Sequence, residues 1–395
     1  MRIRSGFSLG ADTAKAASEA VDRLIAELGA RPDFMVLYAT EHHAKAPLID
    51  ALMQAAPGVT LIGGTSCGGV MTERGFHSGP SGAIGLLGVS DAAGSYGVGA
   101  APLDDNAFES GAKAITEALV AADRDFEAPV LVWCCQPPGR EERVIEGIQS
   151  VIGASVPIIG GSAADEAIAG AWRQFTKDGV LQDHAVVAAL FPTGAHGAAF
   201  QSGYAPTDHV GVVTRAADRR VIEIDGKSAA EVYSRWTGGD VSADEAGMIL
   251  AISTPTPLGR VAGELNNVPM FVLSHPSLIG AGGDLSLFTD IAEGDRVHLM
   301  RGSPESLVRR AGLVVNDARA NGGWRDGKTT GGLVIYCGGC MLHVRDRMDE
   351  VADQIISAMD GAPFLGAFTF GEQGAIIDSC NRHGNLMISA LTFGG

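Results

Sequence analysis

At 395 residues, with 46% hydrophobic and 19% charged side chains, the chain is long and apolar enough to bury a core in two or three domains, which excludes disorder as its main state. Its 29 Lys and Arg against 46 Asp and Glu leave a net charge of −17, which repels phosphate backbones and anionic headgroups and excludes nucleic acid and acidic membrane surfaces as partners. Six cysteines are too few for a disulfide framework, Met1 to Leu9 lacks the apolar stretch of a secretory signal, and no apolar run is long enough to span a bilayer, so a cytoplasmic protein with free thiols and no membrane insertion is expected.

Taken in order, a helix is predicted from Asp12 to Leu28, then a strand at Val36-Leu-Tyr-Ala-Thr40, a polar loop carrying Glu41-His-His43, and a helix near Ala46 to Ala55. Val59-Thr-Leu-Ile-Gly-Gly-Thr-Ser-Cys67 follows, and a strand from Ala83 to Val89 closes the unit. After a helix from Ala107 to Ala122 the same order returns. Pro129-Val-Leu-Val-Trp-Cys134 precedes a helix from Glu141 to Ile152, then come Val156-Pro-Ile-Ile-Gly-Gly-Ser-Ala163 and a strand from Ala185 to Leu190.

Gly226 and Gly238-Gly239 bracket one short helix, which places a boundary in this stretch and divides the chain into domains 1–225 and 226–395. From Val241 to Met300 the pattern changes to short strand-like runs broken by Thr254-Pro-Thr-Pro257 and Gly280-Ala-Gly-Gly283. A helix from Ser303 to Ala318 then opens a third copy of the unit. Leu333-Val-Ile-Tyr-Cys337 leads through Gly338-Gly-Cys-Met341 into a helix with apolar positions Val344, Met348, Val351, Ile355 and Met359 at intervals of three and four. Pro363 to Gly371 and a strand from Leu386 to Leu391 complete it. The expected fold class is therefore α/β, with repeated strand-helix-strand-strand units forming mixed sheets in two domains.

Each unit ends a strand in a glycine-rich corner, and glycine there lets a ligand approach the backbone. Gly63, Gly64, Gly160 and Gly161 are candidates on this ground, with Thr65, Ser66, Ser162 and Asp165 supplying hydrogen bonds and Cys67 closing the first corner. The bland alternative is that paired glycines only permit a tight strand connection. In the third copy Glu372 offers a carboxylate to a ligand amine. Cys337, Gly338 and Gly339 join a strand to a helix, where the helix N-terminus would lower a thiol pKa. Cys337 with Cys340 also matches half a zinc site, without a second pair to complete it. Trp172 is a candidate stacking ring, with core packing as its alternative. His42 and His43 are candidate haem-iron ligands, against the commoner exposed loop histidine.

The stretches Gly63-Gly-Thr-Ser-Cys-Gly-Gly69, Gly160-Gly-Ser-Ala-Ala-Asp165 with Trp172 and Phe175, and Tyr204-Ala-Pro-Thr207 with Glu223-Ile-Asp-Gly226 resemble the N-terminal FIST domain. Pro257-Leu-Gly259, Ile291-Ala-Glu-Gly294, Cys337-Gly-Gly339 and Gly366 through Glu372 resemble the C-terminal FIST domain. One departure stands out, since Cys340 occupies the place of an arginine that the family usually carries. The resemblance implies a sensory module that binds a small molecule and signals through a separate partner such as a histidine kinase or a cyclic-dinucleotide enzyme. It admits an amino-acid-like metabolite or haem as the ligand. Two other readings compete with it: a cysteine-dependent enzyme using Cys337, and a protein-interaction scaffold as in the family's eukaryotic F-box members.

Overall fold

The computed structural model describes residues 1–243, 246–265, 267–324, 327–376 and 380–394. Its organising unit is a parallel pair of strands joined by a crossover helix. Phe34–Ala39 is buried along its whole length, as a strand covered on both faces must be, and it runs parallel to Thr60–Thr65 across the helix Ala46–Ala55. Leu131–Gln136 and Ile158–Ser162 repeat this across Glu141–Ile152, and Thr329–Cys337 and Phe364–Thr369 repeat it again. An antiparallel strand flanks each pair, at Ile84–Ser90, His184–Phe191 and Met387–Gly394.

The repeat begins one strand earlier than the sequence pattern shows. Arg2–Ser8, Ser95–Pro102 and Ala195–Ser202 form the outer edge of the three sheets, each followed in its repeat by a long helix, Thr13–Leu28, Ala107–Ala121 and Pro304–Asn321. All three helices start where their polar residues dictate, with Asp12 accepting the Lys15 N–H, Asn106 the Glu109 N–H, and Ser303 forming a capping box with Ser306. In the third repeat the edge strand and its helix are separated by the stretch that forms a fourth, antiparallel sheet. That sheet runs from Ala205–Ala217 to Arg296–Arg301, so strands on both sides of Gly226 belong to it, and it has its own core around Val213, Tyr233, Leu258 and Leu299.

The repeats are bound by exchange. After its second parallel strand each repeat sends a short hairpin to a neighbour's sheet. Val70–Thr72 pairs with Phe364–Thr369, Gln174–Thr176 pairs with Thr60–Thr65, and Glu372–Ile376 pairs with Ile158–Ser162. First gives to third, second to first and third to second, which closes a ring. The inner faces of the three sheets share one core that includes Val36, Tyr38, Trp133, Ile159, Ile335 and Leu391.

One expected element differs. The helix anticipated through Val344, Met348, Val351, Ile355 and Met359 is broken into Gly338–His343, a 3-10 turn at Arg345–Arg347, and Met348–Ala358. All five apolar positions are still buried. Burial fixed the periodicity, and the break redirects the chain without exposing it.

Candidate functional site

The three glycine corners do converge, and they lock onto one another. The Cys67 N–H donates to Phe368 O at 3.0 Å, Ala164 N–H to Thr65 O at 2.9 Å and Phe370 N–H to Ser162 O at 3.1 Å, so each corner is bonded to the next. Side chains join in: Ser66 Oγ donates to Gly69 O at 2.6 Å and accepts the Phe368 N–H at 2.8 Å. Thr65 Oγ1 accepts the Arg173 N–H, Ser162 Oγ donates to Glu141 Oε1 at 2.9 Å, and one Asp165 oxygen accepts the Ala169 and Ala171 N–H groups.

Close packing explains the glycines. A Cβ on Gly63 would lie 1.7 Å from Leu37 O, and one on Gly160, whose φ is 153°, would lie 2.0 Å from Cys134 O. Gly63, Gly64, Thr65, Ser66, Gly160, Gly161 and Ser162 are all buried in this joint and line none of the hollows described below. Glu372 is enclosed beside them, accepting from Thr369 Oγ1 and from the Met387 N–H, both at 3.0 Å. Burial foremost, then the neighbouring Cys337 thiol, raises its carboxyl pKa well above the usual value.

Beside the joint lies a hollow of about 390 Å³ with walls from both halves of the chain. Pro138, Ile168 and Trp172 form one side, and Leu250, Ala251, Thr254, His275, Phe288, Cys337, Gly339, Leu342, His343, Phe370 and Asn385 form the rest. Trp172 and Phe370 meet edge to face with centroids 6.3 Å apart, a favoured aromatic arrangement. Cys337, Thr254, His275 and Asn385 are buried at its floor, whereas Ile168 and Leu342 at its rim are 45% and 48% exposed. Of the residues singled out by sequence, Trp172, Cys337 and Gly339 thus line one hollow.

The expected activation of Cys337 is not found. Burial first, then the Cys340 thiol bonded to it, pushes the Cys337 thiol well above its usual pKa. A helix of six residues offers too little dipole to offset the desolvation of a thiolate. Cys340 is buried too, with its sulfur 3.7 Å from the Tyr204 hydroxyl. Among the described residues, the one cluster with metal-ligand spacing is Glu141, Glu142 and His383, and an arginine already serves it. Arg219 Nη2 lies 2.9 Å from Glu141 and 2.5 Å from Glu142.

His42 and His43 stand apart from this hollow. His43 is fully buried with Nδ1 3.0 Å from Thr13 Oγ1, and burial, then the charges of His42 and Lys45, lowers its pKa to about 4. Its Nε2 lacks a partner among the described residues, but the ring lines neither this hollow nor the second one described below. His42 lines a second hollow of about 610 Å³ together with Glu41, Glu166, Cys67 and Arg345. A haem needs a free imidazole over an apolar slot, and these residues do not fit one.

With the geometry established, comparison with known proteins places the chain. The FIST N domain family model matches residues 33–227 and the FIST C domain family model matches 229–375. The chain belongs to the FIST family. FIST domains are associated with sensory signal transduction. No curated protein matches the chain. Among solved structures, cyanuric acid hydrolase from A. caulinodans covers 100% of this FIST chain and 99% of its own at 9% identity and a TM-score of 0.36. PurLQS from Thermotoga maritima covers 99% and 72% at 9% identity and a TM-score of 0.21. Likenesses this loose carry no argument about activity.

The hollow beside Trp172 and Cys337 therefore has walls from both the FIST N and the FIST C domain. Apart from Cys337, its floor escaped sequence reasoning. Thr254 and His275 come from the stretch of the fourth sheet that has no counterpart in the first two repeats, and Asn385 reads as an ordinary turn residue before a strand. No helix among the described residues is long and apolar enough to cross a membrane.

Proposed function

We propose that this FIST protein is a cytoplasmic sensor whose small-molecule ligand occupies the hollow between Trp172, Phe370, Phe288 and Cys337. The observation that carries this reading is the origin of the walls: a molecule held there touches the FIST N and FIST C domains at once, so occupancy biases how they sit. A separate output partner, such as a histidine kinase or a cyclic-dinucleotide enzyme, would read that bias. Enzymatic use of Cys337 is disfavoured, since its thiol stays protonated and the His275 Nε2–H is donated to Leu250 O at 3.0 Å. Carboxylates, lysine and arginine are missing from the lining among the described residues. An amino-acid zwitterion or the propionates of haem would lie there without a counter-charge, which argues against both.

Native mass spectrometry of the purified protein tests the reading directly. A retained small molecule that is lost on Trp172→Ala or Gly339→Phe substitution supports it. A protein that carries nothing and gains no thermal stability from a broad metabolite set refutes it.

A further inference from the structure

Resting on that reading of the hollow, we infer that its ligand is an uncharged, planar molecule bearing an adjacent N–H and C=O, of the lactam or cyclic-amide class, held by Asn385 and His275. The floor offers one donor and one acceptor whose orientations are fixed. Asn385 Oδ1 accepts the His275 backbone N–H at 3.2 Å, which turns the carboxamide nitrogen to the other side. His275 Nε2 lies 3.0 Å from Leu250 O, and a carbonyl can only accept, so Nε2 carries the ring proton and Nδ1 is left as an acceptor.

Among the described residues neither Asn385 Nδ2 nor His275 Nδ1 has a partner, and neither is sealed off in the interior. Both belong to residues that line the hollow, 3% and 4% exposed respectively. Burial lowers the His275 pKa to about 4, so the ring remains a neutral acceptor at physiological pH.

A buried donor beside a buried acceptor is a template for the reverse pair on a ligand. A cis-amide N–H faces His275 Nδ1 while its C=O takes the Asn385 N–H. The edge-to-face rings of Trp172 and Phe370, together with Phe288, whose ring lies edge-on to His275 with centroids 6.3 Å apart, give a flat ring apolar surface to lie against. Such a site rejects a ligand that lacks either group, because its own polar atoms then stay unpaired. It rejects a charged ring more strongly, with no counter-ion at the floor.

Calorimetric titration of the full chain with three bicyclic probes tests the proposal: 2-quinolone, N-methyl-2-quinolone and 2-naphthoate. Saturable binding of 2-quinolone is expected, about tenfold weaker binding of the N-methyl compound, and about a hundredfold weaker binding of the naphthoate. Asn385→Ala should weaken 2-quinolone by about tenfold, and because the N-methyl comparison uses the unaltered protein, a misfolded variant does not rescue the idea. Equal binding of all three probes, or no binding of 2-quinolone, overturns the proposed class. If native mass spectrometry then shows another kind of molecule in the hollow, the sensor reading stands without it; an empty, unresponsive protein removes both.

Discussion

Arg219 Nη2 lies 2.9 Å from Glu141 Oε2, and this contact ties the fourth sheet to the first turn of the second repeat's helix. The same guanidinium reaches Glu142, Asp290 and Phe288 O, and its residue sits in the turn between two strands of the fourth sheet. Glu141 is 1% exposed. Arg219→Ala leaves that buried carboxylate only Ser162 Oγ and, at 3.6 Å, His383 Nε2 among its side-chain partners, and the expected loss is about 3 kcal/mol by urea denaturation. A loss below about 1 kcal/mol would show that the pair is no latch.

Glu372 sets a pH dependence. Its carboxyl is protonated in the folded protein well above the value at which the unfolded chain ionises. Above about pH 4.5 the unfolded state releases a proton that the native state keeps, so this group's contribution to stability falls as pH rises. Glu372→Gln titrates nothing and should abolish that slope between about pH 4.5 and 7, whatever it does to absolute stability. Thermal midpoints of the two proteins across the window decide it.

His77 acts in the opposite sense. Burial, then Arg74, lowers its pKa to about 4, and its ring stacks on Phe7 with centroids 3.6 Å apart. Its neutral form is favoured by the fold, so its contribution is complete above about pH 6.5 and is lost as pH falls toward 4. His77→Phe keeps a stacking ring and should reduce the acid-side slope of stability by one proton. An unchanged slope would rule the group out.

Thiol reactivity should follow enclosure. Five cysteines are buried and Cys380 is half-buried. Iodoacetamide at neutral pH is expected to label Cys380 first, with Cys337 modified on the timescale of unfolding, as followed by peptide mass spectrometry. Rapid alkylation of Cys337 would reopen an enzymatic role.

Two glycines separate strain from crowding. Gly170 has φ 82° with nothing near a new Cβ, whereas the Gly160 Cβ would strike Cys134 O. Gly170→Ala should cost about 1 kcal/mol, and Gly160→Ala about 3 kcal/mol or more, both by denaturant titration.

The parallel strand pairs and their crossover helices were legible because strands buried on both faces are written as unbroken apolar runs, as in Phe34–Ala39 and Leu131–Gln136. The exchanged hairpins were not, since a three-residue strand such as Val70–Thr72 has no periodicity and its partner lies hundreds of residues away. For the candidate site, sequence could place Cys337 at a strand-to-helix junction but not reveal that a neutral Glu372 and Cys340 enclose its sulfur. Trp172 was found through its ring, while Asn385 and His275 hold their places by a tertiary hydrogen bond that no local pattern encodes.

The reciprocal lending of hairpins has a consequence for how the molecule comes apart. Deleting any one third would leave its donor's hairpin without a host and its recipient's sheet with a bare edge, so no third is a free-standing piece. Melting should run through the three lobes as a single event, and a molecule seated between the second and third would steady the first, which it never touches.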